Sequence, residues 1–240
     1  MYVAIVATLK KTVELCKSVG FDDAWLTITI CLTRVDVSES DKDASSLETE
    51  LNNVVAAVMI DVTKHKYLHV RAGRADHIDK NDLLGESVVA AFPSASPDIR
   101  EAGNCLAAEC NTAAVFHLMR AVEWGLRALC VDLGVRRIVI RTRNPKKVKY
   151  RLIEYSEWET ILNQLQGRVD AKLKRVKRGR VKQLYQEFYY PALQDIRGIR
   201  DAWRNHTMHT RSEYTAQDAD AILEHVKRLM VNLATRVKEV

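Results

Sequence analysis

Six consecutive residues, Arg204-Asn205-His206-Thr207-Met208-His209, put a guanidinium, an amide and two imidazoles inside the run DAWRNHTMHT, 201–210. The arginine is cationic at any physiological pH and offers a planar fork of donors that matches a phosphate. Histidine titrates near pH ~6.5, so it can take up a proton and return it. An amide beside them can orient either group. Groups of these kinds on one ridge suit holding and cleaving a phosphodiester. The same residues also have a purely structural use. Arg204 can pair with Asp201 at i, i+3, and His209 can sit at a helix C-terminus, where positive charge is favourable.

Whether they converge depends on the element that carries them. Ile196, Ile199 and Trp203 recur at helical spacing and predict a buried stripe. Beside it, Arg197, Asp201, Arg204/Asn205 and Met208/His209 follow at i, i+4, i+7/8 and i+11/12, an adjacent polar stripe. The helix is expected from Val181 to about Met208, kinked or restarted at Pro191. Thr215 with Asp218 three residues on reads as an N-cap opening a last helix, which buries Ala219, Ile222, Leu223, Val226, Leu229, Leu233 and Val237.

Upstream, Thr112 to Leu133 carries an unbroken stripe of Val115, Leu118, Val122, Leu126, Leu129 and Leu133, closed by Gly134. Asp98 to Cys110 precedes it as a shorter helix. Val135 to Tyr150 is basic and contains Asn144-Pro145, which predicts a loop or hairpin, and Trp158 to Leu173 is a further helix broken at Gly179. The cluster Pro93-Ser-Ala-Ser-Pro97 is the best domain boundary in the chain. Before it lie helices over 2–19 and about 45–64, a segment Ala24–Val35 that is ambiguous between helix and strand, a polar loop over 38–46, a short extended piece at 66–70, an irregular stretch to Gly85, and a short helix over 86–92. The expected fold is all-α: a bundle of four principal helices over 94–240, with a mainly helical N-terminal region over 1–93.

Composition sets the class. The chain is 47% hydrophobic and 28% charged, with only nine Gly and four Pro, as expected of a helical globular protein. Five cysteines in no CxxC pair point to reduced thiols and a cytoplasmic setting. The opening MYVAIVATLKK places its lysines after the apolar run, the wrong order for a secretory signal, and no stretch approaches the ~20 apolar residues of a membrane span. The net charge of +6 is unevenly spread. Between Gly134 and Lys182 there are 16 Lys/Arg and 4 Asp/Glu, a balance of +12 that leaves −6 for the rest. A polyanion is the natural partner of such a segment, although a solvated surface has the same composition.

The helix CLAAECNTAAVFHLMRAVEWGLRAL, a basic variable middle, DAWRNHTMH and a terminal helix together resemble a HEPN domain, over roughly Ser94 to Val240. The lead-in LLGESVVAAFPSASPDIREAGNCLA is similar to that of bacterial proteins carrying this domain. The resemblance implies a helical bundle that pairs as a homodimer. In active members the Arg and His of an R-x(4–6)-H motif meet their two-fold mates across a cleft and cleave RNA without metal. Here the motif falls on Arg204 and His209, with Asn205 in the polar position after the arginine. Arg200 and His206 satisfy the looser spacing, so the register stays open.

On this resemblance, His209 transfers the proton, Arg204 binds the phosphate and Asn205 orients one or the other. Glu123, between Arg120 and Arg127, is either a group that positions the site from across the bundle or one half of an intrahelical salt bridge. Lys172, Lys174, Arg175, Lys177, Arg178 and Arg180 are candidates for gripping RNA backbone, with few aromatics among them for stacking. The pairs His206/His209 and His65/His69 lack the other ligands of a zinc site, so neither metal nor cofactor is expected. The expected activity is a metal-independent endoribonuclease, a toxin or phage-defence effector acting on tRNA or mRNA and held in check by an antitoxin or regulatory protein. The alternative is a non-catalytic HEPN module for dimerisation and for partner or RNA binding.

Overall fold

The computed structural model describes residues 2–36, 44–141, 148–207 and 213–239, with side chains over 6–34, 48–140, 148–202 and 213–239. Apart from one two-stranded hairpin, the regular structure is helical, in agreement with the all-α expectation. The chain forms two compact units that divide between Leu68 and His69.

The first unit holds α1 (Tyr2–Val19), α2 (Asp22–Asp36) and α3 (Ala44–Lys64). Its core is Leu9, Val13 and Cys16 from α1, Ala24, Ile28 and Cys31 from α2, and Val54 from α3. The ambiguous segment is therefore helical. Burial at i, i+4 and i+7 outweighs its β-branched composition, and its threonines turn back onto the helix. Thr27 and Thr29 donate to the carbonyls of Asp23 and Trp25, each at 2.7 Å. Asp61 of α3 is 1% exposed and accepts the Ala24 amide at 2.7 Å, satisfying a donor at the start of α2. Burial alone would raise its pKa. The bonds from Ala24 and Lys64 outweigh that and hold it below the ordinary carboxylate value.

The second unit begins with α4 (Ala72–Ala75) and α5 (Glu86–Ala91), a 3-10 turn (Pro93–Ala95), α6 (Ser96–Ala107) and α7 (Asn111–Asp132). The hairpin β1 (Ile138–Arg141) and β2 (Val148–Arg151) follows, then α8 (Trp158–Arg175), α9 (Arg180–Thr207) and α10 (Ala216–Ala234). The helix α7 is its axis: all six residues of the expected stripe are buried, against α6 on one side and α9 and α10 on others. Gly134 closes α7 at φ +69, with the Val135 amide reaching back to the Cys130 carbonyl at 2.7 Å.

The domain boundary expected at Pro93 moves to residue 68/69. Leu84, Val88, Ala91 and Phe92 lie in the same core as α6 and α7. The Pro/Ser cluster is not a linker, because proline is well placed in the first turn of a helix and Ala95 is small enough to be fully buried there. The helix does not restart at Pro191: α9 is one 28-residue helix that contains it. The capping box of α10 forms as expected, with Thr215 accepting the Asp218 amide and Asp218 accepting that of Thr215.

Candidate functional site

The buried side of α9 is Tyr189, Ala192, Leu193, Ile196 and Ile199, which press it into the core of the second unit. Its polar stripe runs alongside α8. Arg197 donates to Asn163 Oδ1 at 3.1 Å. Arg200 is ion-paired to Glu159 of α8, and it grips Asp201 through Nε at 3.0 Å and Nη2 at 2.6 Å. Only 15% of the Arg200 side chain is exposed. A guanidinium held between two carboxylates is poorly placed to take a phosphate.

Arg204, Asn205 and His206 belong to the C-terminal end of α9, which stops at Thr207; this is the position of their backbone, and their side chains lie outside the described set. His209 falls outside the described residues. The chain is held on the far side of that segment. Tyr214 is 5% exposed, donates its hydroxyl to the Ala202 carbonyl at 3.2 Å, and has its pKa raised by burial. Its amide approaches Thr112 Oγ1 at 3.5 Å, beside the start of α7. A cavity of about 310 Å³ opens there, lined by 109–113, Glu213 and Tyr214. The end of α9 and the beginning of α7 thus share one surface.

Glu123 is not part of that surface. It lies eleven residues beyond Thr112 on α7, roughly 16 Å along the axis. Arg127 donates to it at 3.1 Å, the intrahelical pair, and Arg127 also covers the Trp124 ring at 4.9 Å. Arg120 turns away from Glu123 and donates through Nε to Asp98 Oδ1 at 2.7 Å, where His117 Nδ1 also approaches at 3.2 Å. This Asp98–His117–Arg120 group, in which only the carboxylate is buried, joins α6 to α7. Its only trace in the sequence is the i, i+3 spacing of His117 and Arg120, since Asp98 comes from another helix.

The basic run lies at the corner between α8 and α9. Lys174, Arg175, Lys177, Arg178 and Arg180 are exposed, and none of them enters an ion pair among the described residues. Lys172 differs: its ammonium lies over the rings of Tyr185 at 4.8 Å and Tyr189 at 5.7 Å. Arg236 covers Tyr185 at 4.3 Å as well, so these aromatic faces are already taken by cations. Tyr189 donates to Asp132 at 2.5 Å, and burial together with that carboxylate raises its pKa well above the usual phenol value.

Among the described residues no group of three or more His, Cys, Asp and Glu is arranged to hold a metal ion, and no helix is long and apolar enough to cross a membrane. The five cysteines form no disulfide. No family model matches the chain, and no curated protein or solved structure is significantly similar to it.

Proposed function

We propose that this protein is a metal-independent endoribonuclease of HEPN type, working as a homodimer through Arg204, Asn205 and His209. The observation that carries this reading over the alternative register is the commitment of Arg200 to Glu159 and Asp201. It argues against the Arg200/His206 pair as the phosphate site and in favour of Arg204.

In the reaction the 2′-hydroxyl attacks the neighbouring phosphorus, the P–O5′ bond breaks, and a 2′,3′-cyclic phosphate and a 5′-hydroxyl remain. One His209 takes the 2′ proton, and its two-fold mate returns a proton to the leaving oxygen. Arg204 stabilises the charge that builds on the phosphoryl oxygens, and Asn205 orients the imidazole or the phosphate. Lys174, Arg175, Lys177, Arg178 and Arg180 supply backbone attraction. The target is RNA such as tRNA or mRNA, and the biological setting is that of a toxin or phage-defence effector restrained by an antitoxin or regulatory protein.

A second reading, a non-catalytic module for dimerisation and partner binding, draws on the apolar exposure of α7, where Phe116 is 47% and Val131 46% exposed. Arg204→Ala and His209→Ala separate the two. The enzyme reading requires each change to abolish cleavage while leaving folding and dimerisation intact. The module reading requires neither to matter for partner binding.

A further inference from the structure

The hairpin between α7 and α8 has no part in the reaction as described, yet it is one of the two most cationic stretches of the chain. Between Arg136 and Arg151 there are eight Lys/Arg and no Asp/Glu. It also presents aromatic rings. Tyr150 on β2 is 61% exposed, and Tyr155, in the 3-10 turn that follows (Ile153–Tyr155), is 73% exposed. Arg151 links the two by donating to the Tyr155 carbonyl at 3.4 Å. Among the described residues no cation covers either ring, unlike Tyr185 and Tyr189 at the other corner of α8.

Beneath the hairpin lies a cavity of about 720 Å³ between β1 and the first half of α8. Gln164 and Asn163 line it, along with Thr160, Arg151 and the edge of β1. Val139 is in register with Tyr150 across the ribbon, so the two side chains share a face. The Val139 amide points away from β2 and donates to Gln164 Oε1 at 3.0 Å. Carbonyl and amide of one residue point the same way in an antiparallel pair, so the Val139 carbonyl also faces the cavity. A side-chain amide N–H and a strand carbonyl are groups that read the edge of a base. The cavity is coupled to α9 as well, because Asn163 on its wall accepts from Arg197. Arg197 precedes Arg204 by seven residues, roughly 10 Å of helix axis.

We propose that the described part of the hairpin and this cavity form a binding platform for single-stranded RNA: Tyr150 and Tyr155 stack unpaired bases, Arg136, Arg137, Lys149 and Arg151 follow the backbone, and the cavity takes one nucleotide. Exposed aromatic faces interleaved with cations are what a single strand uses, since its bases are free to unstack onto them. A duplex keeps its base faces in its own stack and has no use for the tyrosines. The platform extends the ribonuclease reading of the α9 end, and its link to cleavage rests on that reading.

The test measures binding of the full chain to a fluorescein-labelled single-stranded 2′-O-methyl RNA, which lacks the attacking hydroxyl and cannot be cleaved, and to the matching duplex. Tyr150→Ala and Tyr155→Ala are each expected to weaken single-strand binding about tenfold. The slope of affinity against salt stays unchanged, because no phosphate contact is lost. Tyr150→Phe and Tyr155→Phe retain binding, and unchanged thermal melting of all four variants excludes misfolding. Preference for the duplex, no binding of RNA, or alanine variants that bind as tightly as the wild type would each overturn the proposal. The two claims fail separately. Tyrosine-dependent binding of an RNA that is never cleaved refutes the nuclease and leaves the platform. Cleavage that is indifferent to both tyrosines refutes the platform and leaves the nuclease.

Discussion

At the scale of single residues, two arginines one helical turn apart on α9 are expected to have different roles. Arg200 is closed in by Glu159 and Asp201, whereas Arg204 lies on the terminal stretch beyond them. Substituting each by alanine should therefore give different phenotypes. Arg204→Ala is expected to lower the cleavage rate by roughly 10²- to 10³-fold at unchanged melting temperature, as for loss of one group that stabilises developing charge. Arg200→Ala is expected to lower the melting temperature and leave the folded protein's turnover within a few-fold of wild type. Rate measurements beside thermal melts check both. Asp61 gives a second prediction. Its pKa is depressed in the folded state, so its contribution is fully present above the unfolded value of ~4 and is lost as pH falls through the lower folded value. Acid unfolding of the first unit followed by circular dichroism should move to higher pH, and become less steep, in Asp61→Asn.

At the scale of elements, two close approaches hold the second unit together. A Cβ added at Gly103 would overlap the backbone carbonyl oxygen of His77, and one at Gly125 would come within 2.9 Å of the Met230 sulfur. Gly103→Ala is expected to cost about 1–3 kcal/mol in a urea titration, more than Gly125→Ala, because methionine can yield and backbone cannot. Which elements would be helical was legible wherever the apolar stripe was long, as in α7 and α10. The hairpin was visible only as one of two options, and α2 was obscured by threonines whose hydroxyls bond back within the helix. The domain boundary was misplaced because Pro and Ser serve equally in linkers and in first turns, and only the burial of Phe92 and Ala95 separates the two. The candidate motif was legible as spacing alone. That Arg200 is engaged depends on Glu159, forty-one residues away, and no local pattern encodes that.

At the scale of the whole molecule, the segment 134–182 carries +12 of a chain whose net charge is +6, so association with a polyanion should weaken steeply with salt. Replacing Lys174, Lys177 and Arg178 together by alanine is expected to reduce the log–log salt slope of single-stranded RNA binding by about 2, at ~0.7 per lost phosphate contact. Changes at the tyrosines of the hairpin should leave that slope alone. Dimerisation and catalysis are joined in this account, since one cleft needs two copies of His209. The most direct measurement incubates purified protein with total RNA and with tRNA in excess EDTA, beside His209→Ala. The account predicts discrete cleavage by the wild type alone, leaving 2′,3′-cyclic phosphate ends. Intact RNA in both reactions, or equal cleavage by both proteins, would contradict it.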